Sequence, residues 1–469
     1  MRGIVSCIKH GPSVVDNLYF VVHEDAGELT LSEFTSPIAM HLGDEVDIDT
    51  DSGSILMSSQ HAGLDEIFSR RLDEFVKSSL NEDMRPCDIA GLDEITKAMG
   101  PKLSGAARLL ARKLVRAAPV IVRFHNDADG SSGAYALYKS LERFFEGDFF
   151  SARPRIIWKM HKNVVYAHED AQEDIITINN YESGQKPLLV VIDFGTSQGS
   201  NQGVERIKES FDIIWLDHHP LESDAKVREL ANYVNPWDWG GESSYTAGFL
   251  ACQLSKMFSD IDVSCMEDAS MIGDYSIYAR NTDCGLKAAA VLDLLTSDKT
   301  IAFGTRNYLT PSEMDQVLGD KAKTSELFLY ATSKMEDSLD SAIKSLKHYS
   351  AGKVGIYVCD FDSVRDPLST DRFPLPGRFA SKLLAKIETD GRGPAVLILH
   401  FGRFISMRVS RDVDANVDVA QIARDLRESD DNVESGGGHS SAASVKLVDG
   451  NGKKEIINSI ISLLKERLA

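Results

Sequence analysis

The chain has 469 residues, 43% hydrophobic and 26% charged, with a formal net charge of −20. That length calls for two or three domains of an ordinary globular protein. The acidic balance speaks against a protein that coats duplex DNA without selectivity, and no apolar run approaches the ~20 residues that span a bilayer.

Residues 1–60 read as a strand-rich N-terminal extension. "NLYFVVHE", "ELTLSEF" and "DEVDIDT" are short alternating or apolar runs split by Gly, Pro and Asp. The opening "MRGIVSCIKHGPSV" lacks signal-peptide architecture, so a cytoplasmic protein with no membrane contact is expected. Residues 61–118 change to helical periodicity. Leu64, Ile67, Phe68, Leu72, Phe75 and Leu80 recur mostly at three- and four-residue steps. "SGAARLLARKLVRAA" predicts a second helix, with Ser104 as N-cap and Arg108, Arg112, Lys113 and Arg116 on a solvated basic face.

From residue 119 the pattern becomes α/β. "APVIVRFH", "KPLLVVIDFG" and "SFDIIWLDHH" are near-continuous apolar runs, as in strands of a parallel sheet covered on both faces. All of these strands end in His or Asp, and ligands of such sheets bind outside the carboxyl ends of the strands. Residues 119–323 are expected to form this domain and 324–350 a long connecting helix. Residues 351–469 form a smaller α/β domain with its own strands and helices. Charge is uneven: residues 1–100 hold 7 Lys+Arg against 19 Asp+Glu, whereas residues 351–469 hold 17 of each. The C-terminal part is therefore the surface least repulsive to a polyanion. The six cysteines (Cys7, Cys87, Cys252, Cys265, Cys284 and Cys359) form no CxxC pair, and buried thiols rather than a zinc knuckle or a disulfide are expected.

The polar strand ends carry the chemistry. After the first strand, "HNDADG" puts His125, Asp127 and Asp129 on one side of an extended segment, where they repel each other unless a cation lies between them. The second strand ends in Asp193 and the third in Asp217, His218 and His219. Asp274, in "MIGDYS", is an acidic residue within an apolar helical stretch. Carboxylates and imidazoles without a thiolate suit Mn2+ or Mg2+ better than structural zinc. The ligands suffice for two ions, and Asp193, ending the central run, is the natural bridge. Phosphoester hydrolysis is the chemistry such a pair performs. Near the C-terminus, Gly436, Gly437 and Gly438 let backbone N–H groups approach a phosphate. His439 adds a donor, and "ISMRVSR" contributes Ser406 and Arg408.

In this order, "HNDADG", "VIDFG", "LDHH", "IGD" and the distant "GGGHSSAAS" resemble the DHH phosphoesterase superfamily, in the branch with a DHH-associated C-terminal domain. The resemblance covers roughly residues 119–447, and its order and length are most similar to RecJ-like single-strand nucleases of the archaeal type. Bacterial RecJ proteins usually carry Asp where this chain has His125. The resemblance implies a two-lobed protein, with a parallel-sheet catalytic domain and a smaller substrate-binding domain joined by a long helix. It implies two Mn2+ ions, or Mg2+, on His125, Asp127, Asp129, Asp193, His218 and Asp274. His219 would contact the scissile phosphate or assist proton transfer, and Asp217 would orient His218. Ser406, Arg408, Gly436, Gly437, Gly438 and His439 would hold the substrate strand. The expected activity is exonucleolytic hydrolysis of single-stranded DNA or RNA, as in DNA repair or replication. The alternatives are a nanoRNase or 3′-phosphoadenosine phosphatase, or a replication scaffold associated with a GINS-like partner that retains nuclease activity.

Overall fold

Alternation along residues 18–25 puts Tyr19, Val21 and His23 on one face, and all three are buried. In the computed structural model they line a closed barrel built from β1 (Arg2–Lys9), β2 (Leu18–Asp25), β3 (Glu28–Thr35), β4 (Glu45–Asp49) and β5 (Ser54–Ser58), in the order β1-β2-β3-β5-β4. The strand count and closure are those of an OB-type barrel, which leaves no open sheet edge. Ala26 and Gly27, both at positive φ, make the tight turn between β2 and β3. The structure describes residues 1–58, 66–81, 93–146, 156–181, 183–230, 232–305, 308–364, 373–413 and 417–468. Cys87 lies outside these segments.

Two helices follow the barrel, α1 (Glu66–Ser79) and α2 (Asp93–Val115). The expected N-cap at Ser104 is not one: α2 starts eleven residues earlier and runs through Pro101 and Ser104. Its buried stripe of Met99, Leu103, Ala106, Leu110 and Leu114 continues across the proline, so burial overrides the local stop signal. Nor is the basic face simply solvated. Lys113 is buried, donates to the carbonyl of Lys186 (2.7 Å) and pairs with Asp212 (2.6 Å), while Arg112 pairs with Asp73 (2.6 Å).

The apolar runs then form a five-stranded sheet of β6 (Val120–His125), β7 (Ile156–His161), β8 (Leu188–Ile192), β9 (Asp212–Leu216) and β10 (Asn232–Val234). The strands are all parallel, in the order β10-β9-β8-β6-β7, with β8 central. One face packs Ile121, Leu189, Val191, Ile213 and Trp215 against α4 (His168–Asn179) and α5 (Asn201–Ile207). The other is covered by α3 (Ala128–Phe144) and α6 (Ala247–Lys256), with α7 (Ser264–Gly273) behind them. Further helices are α8 (Asp283–Asp298), α9 (Thr300–Phe303), α10 (Pro311–Leu318) and α11 (Lys321–Ser345), the last being the expected long helix. Cys265 and Cys284 form a disulfide between the starts of α7 and α8, with their Cα atoms 5.6 Å apart. This corrects the expectation of unpaired thiols. The partners are 19 residues apart in sequence, and only the packing of the two helices brings them together.

The chain divides into two compact units: Met1–Leu292 with Asn307–Thr324, and Asp293–Arg306 with Ser325–Ala469. The second contains β11 (Lys347–Ala351), β12 (Val354–Asp360), α12 (Phe361–Val364), α13 (Pro376–Thr389), β13 (Ala395–Phe401) and β14 (Phe404–Val409). These are followed by α14 (Val419–Ser429), β15 (Val433–His439), β16 (Ala442–Leu447) and α15 (Lys453–Leu468). Its six-stranded sheet has the order β11-β12-β13-β14-β16-β15, with β12 and β13 parallel and the other pairs antiparallel. Leu339, Phe379 and Leu383 pack on one face, and Ile422, Leu426, Ile456 and Ile460 on the other. Among the described residues no helix is long and apolar enough to cross a membrane.

Candidate metal centre

Because β6, β8 and β9 are neighbours and parallel, their carboxyl ends lie side by side. Asp193 follows β8 with φ +72, a conformation few non-glycine residues adopt, and is only 2% exposed. Asp127 caps α3, accepting from the N–H of Gly130 (3.0 Å). Asp129, in the first turn of α3, is completely buried and docks onto the start of α6. It accepts from the N–H groups of Ala247 (3.0 Å) and Gly248 (2.8 Å) and from the hydroxyl of Ser270. Gly248 has to be glycine, since a Cβ there would collide with Asp129. Asp274 is not within a helix as expected. It caps the C-terminus of α7, where the chain turns, and its side chain is 38% exposed.

These donors form two groups that share one residue. His125 Nδ1 lies 2.8 Å from Asp127 Oδ2 and 3.4 Å from Asp193 Oδ2. His218 Nε2 lies 3.3 Å from Asp193 Oδ1, 3.4 Å from Asp274 Oδ2 and 3.7 Å from Asp129 Oδ2. Asp193, Asp217, His218 and His219, and likewise His125, Asp127 and Asp193, present ligand atoms within 4.8 Å of one another. Asp217 belongs to the first set by distance, but its Oδ1 is committed to the N–H groups of His218 (2.7 Å) and His219 (3.2 Å) and to the His219 ring (2.7 Å).

That arrangement reassigns Asp217. It orients His219, whereas the carbonyl of Ser243 orients His218 by accepting from its Nδ1–H at 2.6 Å. In the neutral ring, with its proton on Nδ1, His218 Nε2 carries a lone pair. This nitrogen and Asp193 Oδ1 are both buried and have no hydrogen-bond partner. Two unpaired acceptors side by side, among further carboxylates, fit a cation. The electrostatics agree. Burial works against the charged form of His218, but Asp193, Asp274 and Asp129 outweigh it and hold its pKa well above the ordinary value. His125 is raised in the same way, against burial, by Asp127 and Asp193. The Asp129 carboxyl is pushed well up by burial and by Asp193, with His218 opposing. Without a metal, protons supply the charge that a divalent ion would.

In the second unit, Arg408 pairs across the sheet with Ala442, which pairs with His439; Ser406 pairs with Ser444, which pairs with Gly437. The two expected substrate segments thus share rows of one sheet, two strands apart, or ~10 Å. The Arg408 guanidinium donates to Ser406 Oγ (3.0 Å) and Ser381 Oγ (3.3 Å). The three glycines lie in β15, paired with β16. Gly436 is needed for packing, because a Cβ there would collide with the Ala423 carbonyl of α14, and Gly438 adopts φ +137. Ser243, Ser270 and Thr246, which supports Ser270 through a hydroxyl contact, were not singled out in the sequence. Ser243 lies in a turn, Thr246 caps α6 and Ser270 sits inside α7, all ordinary places for such residues, so they carry no local signal.

Carboxylates and imidazoles gathered at the strand ends of a covered parallel sheet make a donor set suited to a divalent cation. Residues 119–272 match the DHH family, N-terminal domain, so the chain carries a DHH domain. An uncharacterized protein of Methanocaldococcus jannaschii is 25% identical over 433 residues, covering 79% of this chain and 55% of that relative. The chain thus spans about half of that relative's length. Among solved structures, the DHH domain of a member of the s1p family of ribosomal proteins superposes with a TM-score of 0.70 at 22% identity, covering 86% of this chain and 97% of that one. Exonuclease RecJ bound to manganese superposes with a TM-score of 0.50 at 17% identity, covering 78% of this chain and 95% of that one. The fold is RecJ-like.

Proposed function

We propose that this protein is a divalent-cation-dependent exonuclease that hydrolyses single-stranded DNA or RNA to nucleotides, with Mn2+ or Mg2+ as its ions. One observation carries the reading: the two oxygens of Asp193 belong to different donor groups, one with His125 and Asp127, the other with Asp129, His218 and Asp274. In this reading each group holds one ion and Asp193 bridges them. Such a pair, when bound, polarises a phosphoryl group and supplies hydroxide at neutral pH. Ser243 keeps the His218 lone pair inward. His219 donates its Nδ1–H to Asp217 and is one-third exposed, and in this reading it contacts a phosphate oxygen or assists proton transfer.

The second unit is the substrate-binding domain of this reading, of the DHH-associated kind. Its rows of Ser406 with Gly437 and Arg408 with His439 suit the phosphates of a single strand, and the balanced charge of residues 351–469 supports that role.

The test uses single-stranded DNA and RNA labelled at either end and incubated with protein and Mn2+. Stepwise loss of nucleotides from one end is expected. Product from dinucleotides alone would favour the nanoRNase alternative, and no product from any of them would contradict the reading.

A further inference from the structure

The indole of Trp237 is 46% exposed, although Trp is among the residues with most to gain from burial. It is also held in place. Its Nε1–H donates to the carbonyl of His218 (3.1 Å) and to Ser243 Oγ (3.3 Å), and Ser243 Oγ itself donates to the His218 carbonyl (2.8 Å). The one-turn helix that presents it, Pro236–Trp239, is anchored at its start by Asn235. That side chain accepts from the N–H of Trp237 (3.1 Å) and donates to the carbonyl of His219 (3.0 Å). Both backbone carbonyls of the His-His pair therefore fix the turn that carries the exposed ring.

We propose that Trp237 is a stacking platform for the unpaired nucleobase of the nucleotide whose phosphate is bound at the metal centre. This deepens the nuclease reading and rests on it. The polar edge of the indole is already satisfied, so what it offers solvent is apolar ring surface, the chemistry that takes a base of any sequence. In a nucleotide the base is one sugar away from its phosphate. The indole is bonded through its Nε1–H to the carbonyl of His218, the residue whose imidazole lines the metal centre, so the ring and the centre share one short segment. A protein partner would also use an exposed tryptophan, but the anchoring to the ligand-bearing segment favours a group delivered together with the phosphate. A base in a duplex keeps its faces stacked, so the platform also favours single strands.

The experiment compares wild type, Trp237→Ala and Trp237→Phe on single-stranded DNA with an ordinary terminal nucleotide and on the same strand with abasic residues at both ends. For the ordinary strand, Trp237→Ala raises KM about tenfold and leaves kcat and Mn2+ affinity unchanged. Trp237→Phe retains most of the affinity, and on the abasic strand all three proteins share one KM. Equal losses on both strands, or none on either, overturn the platform. If wild type cleaves neither strand, the nuclease reading fails by itself, and tryptophan fluorescence in Mg2+ decides the platform. Saturable quenching by dAMP, absent with deoxyribose 5-phosphate and lost in Trp237→Phe, supports it; no quenching in wild type overturns it.

Discussion

His218 Nε2 and Asp193 Oδ1 lie 3.3 Å apart, both buried and both without a hydrogen-bond partner. Two bare acceptors in contact would cost about 1–3 kcal/mol each, so the place between them calls for positive charge, a proton on His218 in the metal-free protein or a cation in the loaded one. Asp193→Ala or His218→Ala should abolish Mn2+-dependent hydrolysis, with at least a hundredfold loss, while circular dichroism stays native. An ion that binds only the folded state stabilises it by about 2.7 kcal/mol at a hundredfold excess over Kd. Mn2+ should therefore raise the wild-type Tm and leave that of Asp193→Ala unmoved; equal shifts would count against the site.

The raised pKa values of His125 and His218 fix the sign of a pH effect. A folded-state pKa above the unfolded one gives stability that is complete below the unfolded value and is lost as pH rises through the folded value. Metal-free protein should thus lose stability as pH climbs beyond the ordinary imidazole range of ~6.5. The metal-loaded protein should lose less, since its ligands are deprotonated already. By the same competition, Mn2+ affinity falls as pH is lowered. Parallel Tm–pH curves in EDTA and in Mn2+ would contradict this.

Ser270 donates to Asp129 from α7 and so fixes a carboxylate that also accepts from two backbone N–H groups of α6. Ser270→Ala should weaken Mn2+ binding about tenfold, measured by calorimetry, with little change in Tm. Unchanged affinity would mean that the α6 contacts alone position Asp129.

Closing the loop between Cys265 and Cys284, 19 residues apart, should stabilise the first unit by about 3 kcal/mol. Denaturant unfolding with and without reductant reads this, and Cys265→Ser should remove the difference. An identical midpoint in wild type would show that the bridge does not form.

Gly436→Ala places a methyl against the Ala423 carbonyl. A loss of about 1–3 kcal/mol is expected from overpacking, seen as a lower Tm with Mn2+ affinity intact. A variant as stable as wild type would show that α14 can shift away from β15.

The strands that carry the donors were legible because β8 and β9 hold unbroken apolar runs that lead into charge, and β6 is broken only by the buried Arg123. The edge strands were not. β7, "IIWKMH", is interrupted by Lys159, and β10 has only three residues. The donor list could be read from residue type, but the job of Asp217 could not. Its choice of His219 over His218 depends on the backbone turn after β9 and on a carbonyl 25 residues away at Ser243. The packing need for Gly436 was not legible either, because local sequence cannot reveal that α14 lies against it. The Cys265–Cys284 pair was likewise set by two helices meeting.

The most direct test of the account is a Mn2+ titration followed by electron paramagnetic resonance. A centre bridged by Asp193 should bind two ions per chain with an exchange-coupled spectrum. In Asp193→Asn the coupling should vanish. A single ion, or two uncoupled ions unaffected by that substitution, would contradict the shared-carboxylate centre.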